Sequence, residues 1–166
     1  MVMSQPSFRE TEKWKKGHNG EHIVAALLRR DGWYVIPSYD YSGDDNNKAP
    51  RIQGANSCHV LPDLDIAKGG DRRWAEVKTK EQATFTRKTQ RFEHGIPLRH
   101  YNDYLEVQHI TGNEVWLFVY EEKSSEILCA KLDDLSQQKR EYNGGKMSRG
   151  GMIFFPRDAF RVWKKL

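Results

Sequence analysis

Residues 61–80 read LPDLDIAKGGDRRWAEVKTK. The central Gly69-Gly70 pair tolerates the positive φ angles of a two-residue hairpin turn, so the flanking segments are expected to pair as antiparallel strands. With those two glycines as the turn, Lys68 pairs with Asp71, and the ladder runs back until Asp63 stands opposite Glu76. A four-residue turn would bring Asp65 opposite Glu76 instead. In either register Asp63, Asp65, Trp74, Glu76 and Lys78 share one face, because side chains alternate along a strand. Carboxylates facing each other across a strand pair lie about 5 Å apart between Cβ atoms and repel. Any fold built on this hairpin has to offset that repulsion.

A divalent cation is the natural offset. Magnesium takes hard oxygen ligands and is held by one or two carboxylates, with waters and substrate phosphate completing its shell; manganese fits the same donors. Asp63 and Glu76 are the candidate ligands, and the backbone carbonyl of Val77 is a third oxygen. Lys78, two residues past Glu76 on the same face, is a point charge suited to hold an attacking water or to stabilise negative charge developing on phosphorus. The competing reading of Glu76 and Lys78 is a surface pattern of cross-strand charges, worth well under 1 kcal/mol.

The rest of the chain suits a polyanionic substrate. Its 166 residues carry a net charge of +4, but nine basic residues face four acidic ones between positions 68 and 99, and eight face two between 137 and 166. Basic stretches interleaved with Trp74, Phe85, Phe92, Phe160 and Trp163 fit a phosphate backbone. Lys80, Arg87, Lys88 and Arg91 are the candidate contacts to backbone phosphates. The length fits one domain, 1–166, with a core at about 10–135, a polar loop at 38–59 and a basic C-terminal strand and tail at 137–166. No apolar run approaches the roughly 20 residues of a membrane helix, and the N-terminal segment lacks the apolar centre of a secretion signal, so an intracellular, cytoplasmic location is expected. Cys58 and Cys129 have no cysteine at zinc spacing and are read as free thiols.

Apolar periodicity predicts a helix over 10–31 stopped by Gly32, a strand over 33–37, and a helix over 98–112 closing on Gly112 with Leu98, Tyr101, Leu105 and Gln108 on one face. Three further strands are expected at 114–122, 126–133 and 150–156, the first nearly all apolar and therefore central. Residues 38–59 are assigned no regular structure, and 81–97 reads as helix broken by Gly95 and Pro97. His18, His94, His100 and His109 are scattered and read as surface or packing residues.

Pro62-Asp63, followed by Glu76-Val77-Lys78, resembles the PD-(D/E)xK nuclease superfamily, and the compact layout is most similar to archaeal Holliday-junction resolvases and related small endonucleases. The resemblance implies an α/β fold with a restriction-endonuclease-like core, a central mixed β-sheet flanked by helices. It also implies a magnesium-dependent deoxyribonuclease, endonuclease rather than exonuclease, with a homodimer as a candidate assembly. In that family an acid on the first helix completes the site. Here GHNGEHIVAALL supplies Glu21, on one helical stripe with Val24 and Leu28, while Gly17 and Gly20 leave room for a close approach. The position after proline favours Asp63 over Asp65 as the metal ligand, with Asp65 as the alternative. The reading from another class is a non-catalytic nucleic-acid-binding module, or a subunit of a restriction or recombination complex.

Overall fold

The structure is a computed structural model that describes residues 12–37, 50–54, 56–143 and 150–166. In chain order it has α1 (Glu12–Arg30), β1 (Tyr34–Pro37), β2 (Arg51–Gln53), β3 (Cys58–Val60), β4 (Leu64–Lys68), β5 (Asp71–Lys80), β6 (Thr84–Thr86), β7 (Arg91–Pro97), α2 (Leu98–Thr111), β8 (Val115–Glu121), β9 (Glu126–Lys131), α3 (Leu132–Ser136), β10 (Arg140–Tyr142), β11 (Met152–Pro156) and β12 (Arg161–Lys165). A six-stranded sheet runs β1-β4-β5-β8-β9-β12. Its β5–β8 pair is parallel and its other neighbours are antiparallel.

The opening hairpin forms in the two-residue register. Gly69 (φ 55°) and Gly70 (φ 86°) both adopt left-handed angles, as a type I′ turn requires, and Lys68 pairs with Asp71 and Leu64 with Ala75. Strand β8, buried at all but one position, lies near the middle of the sheet, where its run of apolar residues is covered on both faces.

Each face of the sheet buries one set of alternate residues. Leu64, Ile66, Ala75, Val77 and Phe118 meet Val24, Ala25, Leu27 and Leu28 of α1, the helical spacing expected. Each such Leu, Ile or Val is worth about 1.5–3 kcal/mol relative to exposure. The helix ends where Gly32 takes φ 85°, with Trp33 N–H donating to Leu28 O and Gly32 N–H to Arg29 O, the paired bonds of a Schellman cap. On the opposite face Val115, Leu117, Val119 and Leu128 meet Tyr101, Tyr104 and Val107 of α2, together with Ile96, Ile153 and Phe155. Those last three belong to a second sheet of order β10-β11-β7-β6. The mixed sheet is therefore flanked by α1 on one side, and by α2 plus a small sheet on the other.

Three sequence expectations need correcting. Residues 81–97 do not form a broken helix; they form the β6–β7 hairpin, with Phe85 opposite Phe92. Thr84, Phe85 and Thr86 favour the pleated conformation, and Gly95 packs under Phe154, where a Cβ would come within 2.7 Å of the ring. The segment 38–59 is not wholly irregular, since Arg51–Gln53 pairs with Cys58–Val60; residues 38–49 lie outside those described. In α2 the fully buried stripe is Tyr101, Tyr104 and Val107. Gln108 instead accepts from Val115 N–H and donates to Asp133, tying the helix end to its neighbours. Both cysteines are free thiols, and among the described residues no helix is long and apolar enough to cross a membrane.

Candidate active site

Strand β5 continues past the last pair that it makes with β4, and the site sits in that step. Asp63, one residue before β4, turns its carboxylate onto the exposed backbone of β5, where Oδ2 accepts the Val77 N–H at 2.8 Å. The N–H and C=O of a strand residue leave the chain toward the same side, so the Val77 carbonyl is also directed to the Asp63 side. Glu76 and Lys78 are next to it in β5 and share the other orientation. Lys78 Nζ forms an ion pair with Glu76 Oε1. Glu76 is 1% exposed, yet its second oxygen, Oε2, is buried with no hydrogen-bond partner.

Asp63 is buried as well. Burial first, then the negative charge of Glu76, with Glu21 adding to it, raise its carboxyl well above the ordinary carboxylate range; Lys78 and the Val77 N–H pull the other way without overcoming them. Two buried acids thus adjoin each other with one ammonium and one amide between them, a deficit of positive charge where transfer from water is costly. Asp65 takes no part in this. It stands opposite Trp74 and is held by Arg72 through two bonds, at 3.0 and 2.5 Å.

Helix α1 reaches the site because Gly20 lets it lie directly on β5. A Cβ at Gly20 would collide with Thr79 Oγ1, whereas one at Gly17 would meet nothing. The close approach expected from the two glycines is therefore real at Gly20 alone. The next residue, Glu21, is partly exposed, with His18 Nδ1 3.8 Å from its Oε2, and lies close enough to add to the field on Asp63.

The remaining predicted residues fall in two places. Lys80 is half-buried beyond Lys78, and burial, then Lys78, lowers its pKa. Arg87, Lys88 and Arg91 are exposed around the β6–β7 turn.

Two histidines lie where the sequence pattern did not place them. His100, at the start of α2, is desolvated there, and burial followed by the charge of Lys78 holds its imidazole below the usual range. It is a neutral neighbour of the Glu76–Lys78 pair, brought there by tertiary packing that no local pattern announces. His22 was passed over although it follows His18 by four residues, one helical turn. Their Nε2 atoms are 2.8 Å apart and the rings meet edge to face.

Among the described residues no three His, Cys, Asp or Glu side chains converge at metal-ligand spacing. The donor set is narrower: the carboxylates of Asp63 and Glu76, one of them with an unused buried oxygen, and a carbonyl directed to their side. Hard oxygens in that number fit an ion that keeps several of its own waters.

A central mixed sheet with helices packed on its faces is the restriction-endonuclease-like fold. The Holliday junction resolvase Hjc of Archaeoglobus fulgidus shares it, with a TM-score of 0.55, 11% sequence identity, and 87% of this chain and 91% of that one covered. A nuclease from a fusselovirus aligns at a TM-score of 0.49 and 11% identity, over 97% and 90% of the two chains. A bacterial homing endonuclease aligns at 0.42 and 15%, over 87% and 78%. No protein-family model and no curated protein matches the sequence.

Proposed function

We propose that this chain is a divalent-metal-dependent deoxyribonuclease, cutting within DNA strands, with magnesium as its ion and manganese able to substitute. What carries the proposal is the buried Glu76 Oε2 without a partner, beside an Asp63 whose ionised form the protein disfavours. A stable fold does not need such an arrangement, and a cation would relieve it. The fold shared with the Archaeoglobus resolvase supports the same reading.

Asp63, Glu76 and the Val77 carbonyl would hold the ion, and Glu21 would join them directly or through a water. When bound, a divalent ion supplies Lewis acidity toward a phosphate oxygen and lowers the pKa of water. Lys78, its chain partly exposed beside Glu76, donates N–H bonds to the oxygen of the attacking water and to the phosphate oxygens as negative charge builds on them. Asp63 remains fixed by the Val77 N–H, which keeps the acid pair in register with β5. Lys80 and the exposed Arg87, Lys88 and Arg91 hold flanking phosphates.

The test is a cleavage panel of linear, nicked, branched and supercoiled DNA, with magnesium, with manganese and with chelator. Cleavage with either ion, abolished by chelator, is the expected result. DNA binding with no cleavage on any substrate would instead make the chain a binding module.

A further inference from the structure

Two phenylalanines stand in solvent on the β6–β7 hairpin. Phe85 and Phe92 are cross-strand partners, their rings meeting edge to face at 5.3 Å between centroids, yet they are 47% and 54% exposed. The hairpin beneath them is firmly fixed. On its opposite face the buried Glu93 accepts from Thr86 at 2.7 Å, Thr89 at 3.1 Å and Arg140 at 2.6 Å. The aromatic pair is therefore presented on a rigid support, and no part of the described chain covers it. Arg87 and Lys88 are exposed at the tip beside it.

Phe92 also forms one wall of an open groove of about 440 Å³, lined by Gln82, Ala83, Glu121, Lys123 and Arg157 among others. That volume lies in the roughly 300–1,000 Å³ range of small-ligand clefts. Glu121 is the register partner of Lys80 across β5 and β8. The groove thus begins two residues along the sheet from Lys78, about 7 Å, which is about two nucleotide steps of a B-form strand.

We propose that Phe92, backed by Phe85, is a stacking site for an unpaired nucleobase of the DNA, seated in this groove while Arg87 and Lys88 hold the neighbouring phosphates. The proposal rests on the chain being a deoxyribonuclease, and it specifies the substrate class: DNA with unpaired bases near the cut, in preference to perfect duplex. An aromatic face stacks with any base, and the groove adds the Gln82 amide for a base edge, with Lys123 ion-paired to Glu81 and Arg157 to Glu121 and Glu126 along its wall. A protein partner suits the patch less well. Two half-exposed rings fall far short of the ~800 Å² per partner of a stable protein interface, and the cations around them match phosphate.

The experiment is fluorescence anisotropy in calcium, so that affinity is read without cleavage, on a blunt duplex and on the same duplex carrying a short single-stranded flap. Wild type is expected to favour the flapped DNA. Phe92→Ala should weaken flap binding about 5- to 100-fold and leave duplex binding unchanged. Phe92→Leu, which keeps bulk but not the π face, should behave like Phe92→Ala, and Phe92→Trp should bind like wild type. Circular dichroism melting checks that every variant folds. Equal loss on both DNAs, no loss on either, or full binding by Phe92→Leu would overturn the stacking site while leaving the nuclease proposal standing. Wild type that binds neither DNA would overturn both.

Discussion

Among the described residues four carboxylates are buried, and they divide into two pairs. Glu93, in β7 of the small sheet, and Glu121, at the end of β8, are each gripped by an arginine. Arg140 bonds both oxygens of Glu93, with Thr86 and Thr89 adding hydroxyls; Arg157 bonds both oxygens of Glu121, with His94 at 2.8 Å. Burial pushes both acids toward protonation, but these donors more than offset it and hold both below the ordinary carboxylate range. Asp63 and Glu76 are buried as deeply, but with one backbone N–H and one lysine between them. Equal burial with opposite compensation separates two acids that the fold pairs fully from two that it leaves short of donors.

The largest effect should come from the lysine of the undercompensated pair. An ammonium has no lone pair for a metal, so Lys78→Ala should keep DNA binding while cleavage falls ~10²- to 10³-fold, by comparison with loss of an oxyanion donor. Steady-state nicking of supercoiled plasmid measures it. Glu93→Gln should nick at the wild-type rate, and a comparable loss there would erase the distinction between the pairs.

Next in size is a stability effect confined to the compensated pair. Arg140→Ala leaves Glu93 buried without its main donor, and about 3 kcal/mol of destabilisation is expected in urea unfolding. In the other pair the sign should reverse. With chelator present, Asp63→Asn removes a disfavoured charge beside Glu76 while its amide oxygen still accepts the Val77 N–H, so it should stabilise by about 1 kcal/mol. Destabilisation by Asp63→Asn would mean that Asp63 is structural.

The smallest effect is a difference in pH slope, read as melting temperature from pH 3 to 7 in chelator. The lowered pKa values of Glu93 and Glu121 contribute stability that is present above the unfolded carboxylate value, about 4.3 for Glu, and lost as pH falls through the folded value. Glu121→Gln should therefore flatten the acid limb. Asp63, raised, contributes with the opposite sign: its stabilisation is complete below about pH 3.9, its unfolded value, and is lost as pH rises through the folded one. Asp63→Asn should remove that decline, leaving the acid limb in place.

This contrast also explains what the sequence could show. The Asp63–Glu76–Lys78 arrangement was legible because a Gly-Gly turn sets both register and facing within 18 residues, from Asp63 to Lys80. Helices α1 and α2 announced themselves by period and by the glycine that stops each, Gly32 and Gly112. The β6–β7 hairpin did not, because Glu93 and His94 occupy consecutive buried positions where apolar residues would be expected, and their partners come from elsewhere: Arg140 is 47 residues from Glu93, and Glu121 is 27 from His94. A carboxylate is visible in a sequence, whereas its compensation is a tertiary fact. The nearness of His100 to the charges of Glu76 and Lys78 was hidden for the same reason, while His22 was in plain view one turn from His18.

The central claim is that the undercompensated pair binds a divalent ion, and thermal unfolding with and without magnesium tests it most directly. At a concentration 100 times the dissociation constant, binding to the folded state adds about 2.7 kcal/mol, roughly 5–10 °C in Tm for a chain of this size. The wild type and Glu93→Gln should both show that rise, and Glu76→Ala should show almost none. An equal rise in Glu76→Ala and wild type would place the ion elsewhere and contradict the account.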